Sequence, residues 1–177
     1  MSPLVGAVKH ALVALFALVL AFGALPAAAQ TLEKVEILEY GMMTVGEDMG
    51  ESSPPNEGFE HHSVAGARLD KATRSIPGRL GVSFGIRFRY VGEPEGGLVP
   101  VTVRLVFPPP GLKSPSGKRV LTVGDSHDLA PLGMTGFSGT TFDHLWEIIP
   151  VTWRIQVWSG GKKLADEPFE VYLPPTV

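Results

Sequence analysis

Residues 82–90, VSFGIRFRY, alternate apolar and polar side chains without a break: Val82, Phe84, Ile86, Phe88 and Tyr90 against Ser83, Gly85, Arg87 and Arg89. Residues 99–107, VPVTVRLVF, repeat the pattern, with Val99, Val101, Val103, Leu105 and Phe107 against Thr102 and Arg104. Side chains of a strand point alternately to its two faces, so each segment has one face for a core and one for water. Half-wet strands belong to antiparallel sheets, because the strands of a parallel sheet are buried on both faces and read as continuous apolar runs.

The remaining strand signals fit that architecture. EKVEILEYG at 33–41, a weaker SVAGARLD at 63–70 and KRVLTVG at 118–124 precede a C-terminal pair. There VTWRIQVW turns through Ser159-Gly160-Gly161 into KLADEPFEVYL, and the glycines supply the positive backbone angles of a tight hairpin. The alternation puts Trp153, Ile155 and Val157 opposite Phe169, Val171 and Leu173 in the interior. Pro168 implies a bulge or an edge position in the last strand. About seven strands result, the number of a sandwich. Helical periodicity is absent after the first 29 residues, where 14 of the chain's 16 prolines and 19 of its 21 glycines interrupt it, and FDHLWEI can make one turn at most. Residues 46–62 and 108–118, rich in Pro, Gly and Ser, read as connections, the first a long exposed loop.

The first 29 residues predict the compartment. Lys9 and His10 precede an uncharged apolar run from Ala11 to Leu25, and Pro26 leads into Ala27-Ala28-Ala29, a secretory leader with a cut after Ala29. An uncleaved anchor is the alternative, since about 20 apolar residues cross a bilayer. Cleavage would leave one domain of residues 30–177 with no stable membrane insertion, periplasmic or extracellular. Without a cysteine it can form no disulfide and carry no lipid on a leading cysteine. Loss of Lys9 leaves 14 basic against 18 acidic residues, a balance unsuited to nucleic acid.

Three groups of residues could carry chemistry. Gly124-Asp125-Ser126 follows a strand as the nucleophile does in one class of serine hydrolases. A serine hydroxyl needs an oxyanion hole and a base, however, and the chain's one asparagine is Asn56, upstream, while no Asp-x-x-His follows. The segment reads instead as a turn at the end of its strand. A metal or hydrolytic site could still draw on Asp125, Ser126, His127, Asp143 and His144, although neither His-x-His nor His-Glu-x-x-His occurs, and adjacent His61 and His62 would face opposite ways. Finally, if the two strong strands and the C-terminal hairpin share a sheet, its outer face presents Arg87, Arg89, Arg104, Arg154 and Gln156 near Glu170 and Tyr172, with Trp158 outward beside the turn. Such a face suits an anionic partner or a sugar, unless its charges merely pair across strands. Trp153 belongs to the core, and Trp146 lies in a corner.

The blocks EYG (39–41), IPGRLGVSFGIRF (76–88), FPPPGLKSPSGK (107–118), FDHLWEIIPVTWRIQVW (142–158) and GKKLADEPFEV (161–171) together resemble a family of exported bacterial proteins known only as a domain of unknown function. Val151 departs from it, standing where glycine would be expected. The last two blocks are also similar to the closing hairpin of bacterial immunoglobulin-like domains. The resemblance implies a β-sandwich in an envelope setting and carries no catalytic residues. The expectation is therefore an all-β, immunoglobulin-like antiparallel sandwich of about seven strands. It would be a non-catalytic binding or accessory module without a cofactor, recognising an unidentified envelope protein or glycan through a sheet face or its end loops. A small metal-dependent or serine hydrolase built on Asp125-Ser126-His127 with His144 is the competing reading.

Overall fold

The computed structural model describes residues 30–46, 48–51, 62–64, 66–113 and 120–175; residues 1–29, on which the expected leader falls, residues 52–61 with His61, and residues 114–119 lie outside them. Thirteen strands occur among the described residues. They are β1 (Thr31–Thr44), β2 (Asp48–Glu51), β3 (His62–Val64), β4 (Arg68–Lys71), β5 (Ser75–Pro77), β6 (Ser83–Glu93), β7 (Leu98–Val106), β8 (Leu112–Lys113), β9 (Val120–Leu121), β10 (Val123–Pro131), β11 (Thr135–Thr141), β12 (Thr152–Ser159) and β13 (Lys162–Tyr172). Nine form the sandwich, a four-stranded sheet in the order β11-β6-β1-β4 and a five-stranded sheet in the order β10-β7-β12-β13-β5. The rest make two short ladders, β2 with β3 and β8 with β9, so both stretches read as connections contribute strand residues. The fold is an all-β immunoglobulin-like sandwich, with more strands than the seven expected.

The alternation of β6 and β7 does what it predicts, but in opposite layers. Phe84, Ile86, Phe88 and Tyr90 line the inner face of the four-stranded sheet, while Val99, Val101, Leu105 and Phe107 line that of the five-stranded sheet. Their connection, residues 94–97, carries the chain from one layer to the other. Between the layers Phe84 meets Phe169 at 5.1 Å and Trp153 edge-on at 6.1 Å, and Phe107 and Phe142 approach the same indole at 5.5 and 5.6 Å. The indole N–H donates to the Ile149 carbonyl oxygen at 3.0 Å, so the largest core side chain leaves no polar atom unpaired.

The closing hairpin turns on Gly160 and Gly161, both with positive φ, between paired Ser159 and Lys162. Its bulge falls at Leu164, not at Pro168; Pro168 pairs with Arg154 beyond the three-residue reach of β5, an edge-like position on that side. Leu173, expected inside, lies past the end of β13 and is exposed, because the ladder stops at Tyr172. FDHLWEI contributes a single 3-10 turn, Leu145–Glu147. No helix among the described residues is long and apolar enough to cross a membrane.

Candidate functional site

Because β6 and β7 lie in different layers, the six residues singled out for ligand contact are divided between two outer faces. Arg87 and Arg89 stand on the four-stranded sheet; Arg104, Arg154, Trp158 and Tyr172 stand on the five-stranded one. Parity along a strand assigns a face but does not say which sheet owns it, so the single arginine surface expected from sequence does not form.

On the five-stranded sheet the register sets Asp125, Arg104, Gln156 and Asp166 in one row across four strands. Arg104 grips Asp125 with two nitrogens, Nε to Oδ1 at 2.7 Å and Nη2 to Oδ2 at 2.6 Å. That hydrogen-bonded carboxylate holds the guanidinium above its ordinary pKa despite partial burial. Arg154 donates to Asp166 at 2.7 Å, and Lys163 bonds the other oxygen. Burial pushes the Asp166 carboxyl up, but the bonds from Arg154 and Lys163 outweigh it and leave the group below the usual carboxylate range. Trp158 packs 5.5 Å from the Arg104 guanidinium and 6.0 Å from the Lys163 ammonium, and its N–H donates to Gln156. Tyr172 lies at the far end of this face, paired with Pro77, and Thr152 donates to Glu170.

On the other face Arg87 bonds Glu39 at 2.8 Å and also donates to the Ala67 carbonyl oxygen. Arg89 is exposed, pairs in register with Glu36 and Thr135, and has no ion pair among the described residues. Three of the four arginines are thus engaged with a carboxylate of a neighbouring strand. That arrangement fixes the side chains and offsets their charge, so each attracts an outside anion less than a lone guanidinium would.

The Gly-Asp-Ser segment is not a turn. β10 continues through it, with nine consecutive pairs to β7, because Asp125 and His127 find partners across the wet face. Asp125 faces Arg104, and His127 Nδ1 lies 2.9 Å from the Thr102 hydroxyl. Ser126 alternates to the opposite side, beside Val103, so it and its neighbouring imidazole stand on different faces of the strand. Asp143 and His144 occupy the corner before the 3-10 turn. There both backbone N–H groups donate to the Glu147 carboxylate at 2.8 Å, and the His144 ring stacks on Trp146 at 5.6 Å. Among the described residues no three His, Asp or Glu side chains converge as a metal-binding set.

Two features escaped sequence reading. Glu167 is buried on the inward face of β13 and accepts from Arg74 Nε at 2.6 Å, while the Arg74 guanidinium lies 4.0 Å over the Tyr40 ring. This clasp joins the two layers beside β5; its signal was the inward parity of an acid between Ala165 and Phe169, which demands a cation. The second is apolar. At the end of the sandwich where β13 finishes, segments 78–82, 142–151 and 171–173 are laced by backbone bonds: Gly78 N–H to Tyr172, Gly81 N–H to Phe142 and Val171 N–H to Val151. They carry Leu80, Leu145, Val151, Tyr172 and Leu173, of which Leu145 is 75% and Leu173 62% exposed.

Comparison with known proteins agrees with the sandwich. An immunoglobulin-like protein from Pseudomonas aeruginosa, known from a crystal structure, superposes with a TM-score of 0.55 at 23% identity, over 80% of this chain and 99% of that one. At that identity the likeness speaks for the fold alone. No curated protein matches the sequence. The family model described as a domain of unknown function, DUF3859, matches residues 32–171, from the first strand of the sandwich to the end of the last, and the chain belongs to that family.

Proposed function

We propose that this chain is an exported, non-catalytic binding or accessory module of the bacterial cell envelope, and that it meets its partner through the end carrying Leu80, Leu145, Val151, Tyr172 and Leu173. The leader-like first 29 residues support export. The observation that carries the binding surface is the exposure of large apolar side chains on three segments bonded to one another, while the arginines of the two faces are mostly paired within the molecule. Contiguous exposed apolar surface on a soluble domain marks an interaction site more reliably than internally neutralised charge does. An envelope protein is favoured over a glycan, because sugars call for open hydrogen-bonding groups beside a free aromatic face, whereas Trp158 is flanked by two cations and its N–H is taken. The non-catalytic part rests on the separation of Ser126 from His127 across β10.

The test is photo-crosslinking in living cells, with a reactive amino acid at Leu145 or Leu173 and, as control, at Arg89. A discrete adduct from the end positions, absent from Arg89 and lost in an unlabelled Leu80→Asp background, is the expected result. Equal labelling at all three sites would refute the surface, and fluorophosphonate modification of Ser126 would refute the non-catalytic reading.

A further inference from the structure

The two layers leave four sheet edges, and they are not alike. β4 has four residues, three of them charged, and β5 has three and includes Pro77. β10 carries Asp125, His127, Asp128 and Pro131. Short length, charge and proline are how soluble proteins keep an edge from pairing with another chain. β11 has none of these. Its seven residues, TGFSGTT, include no charge and no proline, and they pair with β6 in an unbroken register without a bulge.

The direction of its free backbone groups follows from the ends of that ladder. Tyr90 N–H donates to Met134 and Phe142 N–H to Val82, so the hydrogen-bonded pairs are those of the even-numbered β11 residues. In an antiparallel ladder bonded and non-bonded pairs alternate. Thr135, Phe137, Gly139 and Thr141 therefore turn their N–H and C=O groups to the open edge, where no described strand receives them.

We infer that β11 pairs antiparallel with β11 of a second copy of this chain, across a two-fold axis at Ser138, to make one continuous eight-stranded sheet. The sequence is self-complementary in that register. Thr135 meets Thr141 and Phe137 meets Gly139 of the other copy, all residues with outward backbone groups, giving about eight main-chain hydrogen bonds. The Phe137 ring, on the outer face with Arg87, lies along its own strand over Gly139, which continues a glycine row through Gly85 to Gly41, so in the pair each ring stays on its own side of the seam and neither copy's Gly139 adds a side chain to it. Ser138 meets its own counterpart at a non-bonded pair, the closest kind of cross-strand approach, with Cβ atoms about 4.5 to 5.5 Å apart. A seam without charge brings no like-charge repulsion, and a two-fold contact closes on itself instead of growing into a fibre.

The experiment uses protein expressed from the full sequence. Sedimentation velocity over a concentration series from about 5 to 500 µM should show a monomer–dimer equilibrium in that range. Thr135→Glu with Phe137→Glu sets each new carboxylate beside Arg89 or Arg87 of its own chain, yet brings four to the seam, and should weaken the dimer by about tenfold or more. Because the chain has no cysteine, Ser138→Cys provides one thiol at the axis, and diamide should convert it to a covalent dimer well ahead of Thr140→Cys. A monomer at every concentration, a dimer unaffected by the two glutamates, or equal crosslinking from both cysteines would overturn the inference. So would capture of a different protein's extended segment by β11 in place of the second copy.

Discussion

Tyr90 shows how far one side chain's surroundings can shift its chemistry. It is buried on the inner face of β6, edge-on to Phe88 at 5.2 Å. Burial first, and then the negative charge of Asp128, push its phenol from 10.0 up to about 12. The folded state holds the phenolic proton more tightly than the unfolded chain, so the unfolded state binds fewer protons between those two values and stability falls as pH rises through them. Stability should be intact below pH about 10 and decline by about 2 to 3 kcal/mol by pH about 12. Urea titrations across that window should show the decline in the wild type and a shallower one in Tyr90→Phe. Gly41 illustrates a steric constraint. Its φ is +142°, and a Cβ there would overlap the Lys71 carbonyl of β4. Gly41→Ala should cost about 2 kcal/mol or more. Gly160→Asn, at a turn position with open space and φ +55°, should change stability by less than about 0.5 kcal/mol. Paired urea midpoints decide both.

At the scale of elements, the clasp between layers yields an asymmetric prediction. Glu167 is 6% exposed, whereas the Arg74 side chain is about half exposed. Removing the arginine strands a buried carboxylate; removing the glutamate leaves a cation that can still reach water. Arg74→Met should therefore lower the urea midpoint more than Glu167→Met, and the double variant should recover part of the loss. What the sequence disclosed about such elements depended on contrast between faces. β6, β7, β12 and β13 were readable because apolar and polar residues alternate there, and Trp153 could be placed in the core by parity. β11 was not, since Thr, Gly and Ser give an edge strand no apolar stripe, although Phe137 and the backbone ladder fix it. β10 was cut short at Gly124, because Gly-Asp-Ser is turn chemistry until Arg104 and Thr102 are seen to meet it across the ladder. The arginines are divided between two faces for a related reason: parity is a property of one strand, and sheet membership depends on where the chain crosses over.

For the whole molecule, the absence of any disulfide means the two layers are held by one shared core and a few edge contacts. The central contact is Phe84, a residue of the four-stranded sheet whose ring reaches both Trp153 and Phe169 of the other. If the sandwich is a single cooperative unit, weakening that contact must weaken both layers together and cannot release one of them. Phe84→Ala should cost about 3 to 5 kcal/mol, a large share of the roughly 5 to 15 kcal/mol that holds a domain of this size. Far-UV circular dichroism follows the strands of both sheets, and fluorescence follows Trp153, Trp158 and Trp146 in and around the five-stranded sheet. The two signals should fall at the same, lower urea concentration in the variant, with an unchanged slope and no effect of reducing agent. Separate midpoints would mean that each layer can stand without the other, and the clasp at Glu167 would then be the place to look for what holds the remaining one together.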